Sequence, residues 1–296
     1  MHHHKYRLVV PFVAPTFLLY AVFVLWPYGQ ALYYALTRWR GFSANRPFVG
    51  LANFQRMGND RLFWNAFKHN AEMLVVLPIA TIGLALLFAA LIAQGGRGVR
   101  GGGFYRVVYF FPQVMSAVVL GVLWGFVFHP GIGLLNGFLR SVRLGGLQRT
   151  WLGDPHWVLW AIAVVAVWSS VGFFMVLFIA GMQAIPNDLY ESATLDGASR
   201  WTAFWGITLP LLRDHLQVAL VFVGLGALDL FALVEVMAEN GGPSRAADVI
   251  ARYMYDLAFN KSQFGYATAI GVVLLVVSLV LSLLTVQLTQ RERIEF

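Results

Sequence analysis

Two groups of residues in this 296-residue chain are placed to do recognition or chemistry. One is a polar patterned stretch, Tyr190-Glu191-Ser192-Ala193-Thr194-Leu195-Asp196-Gly197-Ala198, followed after eight residues by Ile207-Thr208-Leu209-Pro210. The other is a pair of carboxylates, Asp229 and Glu235, in an otherwise apolar segment. A carboxylate in a membrane-spanning run marks a ligand or ion path by default, because lipid solvates it poorly. Trp168-Ser169-Ser170 adds an aromatic face and two hydroxyls to another apolar run, although a mid-helix Trp also serves packing. His69 and Glu72 are spaced to share a metal, but without further ligands an ordinary helix start explains them better. The glycine-rich stretch 95–103 lacks the G-x-x-x-x-G-K-S/T pattern of a phosphate cradle, and Lys5, Lys68 and Lys261 all lie elsewhere. It reads as a hinge. There is no cysteine, so thiolate metal sites and disulfides are excluded.

The elements that must position these residues are membrane spans. Apolar residues make up 59% and charged residues only 12%, against about 25% charged in an ordinary soluble domain. The runs 8–37, 73–96, 107–139, 155–187 and 262–290 carry no Asp, Glu, Lys or Arg. Each exceeds the roughly 20 residues that cross about 30 Å of hydrocarbon as a helix. The run 215–228 is shorter and spans only if Asp229 and Glu235 face protein or water. The expected fold is therefore all-α, a single polytopic membrane domain over 1–296. Its six transmembrane helices fall near 8–37, 71–94, 106–129, 156–184, 211–235 and 264–289. Runs of this length are too long for barrel strands. The first run is too long for a cleaved signal peptide and carries Trp26 and Tyr28 where small residues would stand. Pro112 should kink the third helix and free a carbonyl. His2-His3-His4 is assigned no function.

The net charge of +7 does not point to nucleic acid, because basic loops are common in membrane proteins and no basic run interleaved with aromatics is present. With both termini inside, nine of the 21 Lys and Arg lie in inner segments and twelve in longer outer loops. The charge asymmetry therefore does not set the orientation.

The physics of the patterned stretch, the loop 186–210, is legible directly. Asn187 is placed to cap a helix and Asp188 suits the positive end of its dipole. Leu189 or Tyr190 shares a face with Ala193 and Gly197, and small residues there let another backbone approach. Gly197 permits a sharp turn after Asp196. Ser199 then caps a second short helix through Trp201, Phe204 and Ile207, which Leu209-Pro210 ends. The result is a helix–turn–helix with an exposed small-and-apolar surface and Glu191 at its edge.

Glu191-Ser192-Ala193, Gly197 ten residues before Ile207, and Leu209-Pro210 resemble the EAA loop of the membrane subunits of ATP-binding-cassette importers. Family members usually have a second alanine where Ser192 stands. Gly241-Gly242-Pro243, the 253–259 and 264–269 segments, and the outer 48–54 and 63–66 segments resemble the carbohydrate-uptake branch, of MalF/UgpA type. The likeness covers nearly the whole chain.

The resemblance implies a type I importer permease in the bacterial cytoplasmic membrane, multi-pass, with both termini cytoplasmic. It implies a second, MalG-like permease subunit, two copies of a cytoplasmic ABC ATPase and an extracytoplasmic sugar-binding protein. The permease would bind no cofactor; ATP and Mg would be used by the ATPase. The residues implied in ATPase coupling are Tyr190, Glu191, Ala193, Asp196, Gly197, Ala198, Ile207, Leu209 and Pro210. Sugar hydroxyls need acceptors and pyranose faces favour aromatic platforms, so Asp229, Glu235, Trp168 and Ser169 are the candidates for the substrate path. The rival classes are an ion-coupled secondary transporter, which would need buried charges on several helices and an inverted repeat, and a polytopic membrane enzyme, which would need a clustered acid–base or metal set.

Overall fold

The computed structural model describes the backbone over residues 3–93 and 102–289, and side chains over 11–92 and 102–287. The stretch 95–101 of the expected hinge, the His2–His4 side chains and the arginines at 97, 100, 291 and 293 lie outside the described residues. Among the described residues the architecture is helical, with one isolated antiparallel bridge between Thr37 and Phe48.

In chain order the helices are α1 (His3–Tyr20), α2 (Trp26–Ala35), α3 (Ala52–Gly58), α4 (Arg61–Ala93), α5 (Gly102–Val114), α6 (Ala117–Val127), α7 (Leu134–Ser141) and α8 (Val158–Gln183). There follow α9 (Asn187–Leu195), α10 (Arg200–Ala203), α11 (Leu209–Leu211), α12 (Arg213–Leu228), α13 (Phe231–Met237), α14 (Ile250–Tyr255) and α15 (Phe264–Thr289). Among the described residues, four helical stretches are long and apolar enough to cross a membrane: Pro11–Ala35, Arg61–Ile92, Val158–Gln183 and Phe264–Gln287. Two bent pairs, α5 with α6 at 101° and Arg200–Leu211 with α12 at 70°, raise the number to as many as six.

The bent pairs are where the structure departs from straight expected spans. The segment 106–129 turns at Met115–Ser116, past Pro112. Pro112 has no N–H to give, but its carbonyl takes the Met115 N–H at 3.2 Å, and the Ser116 hydroxyl caps α6 by accepting the Val119 N–H. The bend follows Pro112 by three residues, and the new helix begins at the Ser116 cap. The expected span 211–235 is in three pieces, with breaks at Leu212 and at Asp229–Leu230.

Two prolines are accommodated by the same device. The π-helical turn Ala21–Leu25 precedes Pro27, and the π-helical turn Phe204–Thr208 precedes Pro210. In each, an N–H reaches back five residues, Trp26 to Ala21 and Leu209 to Phe204. The widened turn frees the carbonyls that a proline ring would strike. Pro210 therefore does not end the second loop helix as expected; the helical path continues to Leu211.

The chain divides into two units, Met1–Phe63 with Tyr253–Val276 and Trp64–Arg252 with Val277–Phe296. In the first, buried Asn53 donates to the carbonyls of Ala35 and Thr37 at 2.8 and 2.9 Å, satisfying the open end of α2. In the second, the core gathers around α8, whose Ile162, Val165, Met175 and Phe178 are fully buried. In lipid, helices associate through close packing, for which small residues are suited. A Cβ at Gly172 of α8 would collide with the Tyr109 carbonyl of α5.

Candidate functional site

The 186–210 loop forms the expected helix–turn–helix. Helix α9 opens at Pro186, with Asp188 in its first turn. Asn187 is not its cap: it already lies inside the helix, because Pro186 occupies the preceding extended position and no side chain caps the end. The exit is a Schellman turn. The Ala198 N–H bonds the Ala193 carbonyl at 2.8 Å, and the Gly197 N–H bonds Thr194 at 3.1 Å. Gly197 has φ +79°, a left-handed conformation that costs a residue with a Cβ about 1–2 kcal/mol. Ser199 caps α10 as expected, its hydroxyl accepting the Thr202 N–H at 3.1 Å.

The two arms of this loop are tied together by a hydrogen bond between the Tyr190 hydroxyl and Thr208 Oγ1 at 2.9 Å. Glu191, Asp196, Gly197 and Pro210 are exposed, while Ala193, Ala198, Ile207 and Leu209 are half-buried. Leu195 is 88% exposed and Trp201 70% exposed, on either side of the turn. Among the described residues, nothing beyond its two chain neighbours lies within 4 Å of where a Gly197 Cβ would be. The loop thus presents an apolar, small-residue crest with the exposed Glu191 and Asp196 carboxylates at its margin.

The four substrate-path candidates have separate partners. Asp229 stands at the end of α12, its N–H shared between the Leu225 and Gly226 carbonyls at 3.2 Å, and its carboxylate is exposed. Glu235 is not a free acceptor: its Oε2 takes the Arg252 Nε at 3.2 Å. Trp168 makes an edge-on contact with Trp124, ring centres 5.3 Å apart. The Ser169 hydroxyl donates to the Ala166 carbonyl at 2.9 Å, leaving its lone pairs open.

Sequence reasoning missed a buried polar network in the same unit. Arg252 bonds Asp248 at 3.1 Å as well as Glu235, and Arg245 bonds Asp248 at 3.0 Å. Burial pushes the Asp248 carboxyl up, against the pull of the Arg252 and Arg245 guanidiniums. His69 and Asn70, neighbours on α4, join it. His69 Nδ1 bonds the Asp248 carbonyl at 2.8 Å, and Glu72 pairs with Lys68, so His69 and Glu72 have separate partners. The i,i+4 spacing of Asp248 and Arg252 was visible in the sequence; their burial was not.

The first unit has its own polar centre at Asp60. One carboxylate oxygen accepts the N–H groups of Leu62 and Phe63 at the start of α4; the other accepts the Tyr253 and Tyr266 hydroxyls at 2.7 and 2.6 Å. Desolvation raises the Asp60 carboxyl, but the hydrogen bonds from Tyr266, Tyr253, Phe63 and Leu62 outweigh it and hold it below the usual range. An open cleft of ≈ 520 Å³ lies beside it, lined by Arg56, Asn59, Lys261 and Gln263 among others. It contains none of the expected site residues.

Residues 85–294 match the family model of the binding-protein-dependent transport system inner membrane component. The diacetylchitobiose uptake system permease protein NgcF of Streptomyces coelicolor is 42% identical over 92% of this chain and 79% of that protein. The sn-glycerol-3-phosphate transport system permease protein UgpA of Agrobacterium fabrum is 34% identical over 91% and 90%. A solved bacterial ABC transporter involved in import of the acidic polysaccharide alginate shares the fold, with TM-score 0.81 at 24% identity over 97% of this chain and 96% of that one.

Proposed function

Because the chain belongs to the inner membrane components of binding-protein-dependent transport systems, we propose that it is one of two different permease subunits of an ATP-driven carbohydrate importer. The observation that carries this is the family match itself, which takes in the helices around the 186–210 loop and the loop. The names of relatives support the substrate class: one is a diacetylchitobiose uptake system permease, and another, 30% identical, is named a probable starch degradation products transport system permease.

In this reading the loop is the drive contact. The crest of Ala193, Gly197 and Ala198 enters a groove on a cytoplasmic ATPase, with Glu191 and Asp196 at its margin. Tyr190, Ile207, Leu209 and Pro210 hold the crest to the membrane helices, and the Tyr190–Thr208 bond makes the loop one lever. Two ATPase copies, which use ATP and Mg, close beneath this chain and a MalG-like second permease. Their closure rocks the permease halves between inward and outward openings. An extracytoplasmic binding protein delivers the sugar, and both termini lie in the cytoplasm. The exposed Asp229 carboxylate accepts sugar hydroxyls, with Trp168 and Ser169 as an aromatic and hydroxyl wall. Glu235 acts there only through Arg252.

The test is uptake of labelled diacetylchitobiose and maltooligosaccharides into proteoliposomes holding this chain with its co-encoded permease, ATPase and binding protein. Uptake should require internal ATP and every partner. Uptake driven by an ion gradient without ATP would overturn the proposal.

A further inference from the structure

The break between α12 and α13 has one side chain seated in it, and that side chain comes from α4. Asn70 is 2% exposed. Its Nδ2 donates to the Ala227 carbonyl at 2.9 Å and reaches the Leu228 carbonyl at 3.5 Å. Its Oδ1 accepts the Ile250 N–H at 2.8 Å. One amide thus satisfies the open carbonyl end of one helix and the open N–H end of another. Helix ends leave such groups unpaired, and an unpaired buried polar group is costly. Residues 227, 228 and 250 are all buried. Asp229 follows directly on the carbonyls that Asn70 holds.

We propose that Asn70 fixes the break after Leu228 and through it the position of the Asp229 carboxylate, making Asn70 a positioning residue that does not touch substrate. This rests on the reading of Asp229 as a path residue. Without the amide, the Ala227 and Leu228 carbonyls lose their partner. The lowest-cost repair is to run α12 onward through 229–231, which swings Asp229 around the helix axis.

His69 supplies the control. It comes from the same turn of α4, and its hydrogen bond goes to the Asp248 carbonyl and not to the 227–228 carbonyls. Both substitutions weaken the same buried region; only one frees the break.

Two measurements separate the inference from the reading beneath it. The chain has no cysteine, so the background is clean for spin labels at Asp229→Cys and Trp160→Cys, both in the second unit. In the assembled complex, Asn70→Leu should shift or broaden the 160–229 distance distribution, and His69→Leu should leave it narrow. An unchanged distribution in Asn70→Leu would defeat the inference. In sugar uptake, Asn70→Leu should raise half-saturation about three- to tenfold while ATP hydrolysis by the assembled complex is retained. Combined with Asp229→Ala, it should add nothing further. Full additivity would show that Asn70 acts elsewhere. Wild-type uptake by Asp229→Ala alone, with the distance still shifted by Asn70→Leu, would remove the path reading and leave the positioning of the break standing.

Discussion

Arg252 and Asp248 form an ion pair at 3.1 Å with side chains 2% and 1% exposed, one turn apart at the start of α14. Arg252 extends the pair to Glu235 on α13, and Arg245 closes on the other carboxylate oxygen. The network ties α13, which follows the break after Leu228, to the start of α14.

Breaking the pair leaves a buried charge with only a half-exposed partner, Arg245 for Asp248 or Glu235 for Arg252. Arg252→Ala or Asp248→Ala should destabilise the second unit by about 3–5 kcal/mol. Glu235→Gln should cost far less, since Glu235 is half-exposed and a neutral amide still accepts. Thermal unfolding of the detergent-purified complex, read by loss of the monodisperse peak, ranks the three.

Asp60 predicts an acid sensitivity. Its carboxyl is held below the usual range, so the folded state favours the charged form. The sign follows: the stabilisation is present above the unfolded value, near 3.9, and is lost as pH falls through the lower folded value. Asp60→Asn should flatten the fall of the unfolding midpoint below about pH 4 relative to the wild type. The same acid slope in both proteins would assign the sensitivity to other carboxylates.

Gly172 should admit no side chain. A Cβ there strikes the Tyr109 carbonyl, and backbone cannot yield as a side-chain tip can. Gly172→Ala should cost about 1–3 kcal/mol and lower the yield of inserted chain. Wild-type yield and midpoint would show that α5 and α8 are less closely packed than described.

Much of this was legible from residue spacing. Gly197 after Asp196 and Ser199 before Thr202 dictate a Schellman exit and a hydroxyl cap, both local devices. Four of the five long apolar runs coincide with helices long enough to span, as their length implies, but the run 107–139 bends by 101° between α5 and α6. What was not legible depends on partners remote in the chain. The Ala227 carbonyl at the break is bound by Asn70, 157 residues away, and Glu235 looked like a free acceptor until Arg252 met it. The turn at Met115–Ser116 depends on a choice between a proline and a serine cap, which proline alone does not settle. The Tyr253 and Tyr266 hydroxyls on Asp60 likewise required the fold.

The loop predictions separate coupling from folding. Glu191 is exposed, and among the described residues beyond its chain neighbours a Gly197 Cβ meets nothing. Glu191→Ala should therefore leave insertion and stability unchanged and abolish uptake. Gly197→Asp should cost about 1–2 kcal/mol in backbone strain and also abolish uptake. Normal transport by both variants would remove the loop from the drive train.

The central claim is that the crest at Ala193–Ala198 contacts the ATPase. Because the chain has no cysteine, Ala193→Cys can carry a benzophenone maleimide as its one label. Illumination of the assembled complex should cross-link this chain to the ATPase subunit, with a yield that changes between nucleotide-free and ATP-bound states. A label placed at Ile132→Cys, on an exposed turn before α7, should give no ATPase adduct. No ATPase adduct from position 193 in any nucleotide state, in a complex that still transports sugar, would contradict the account.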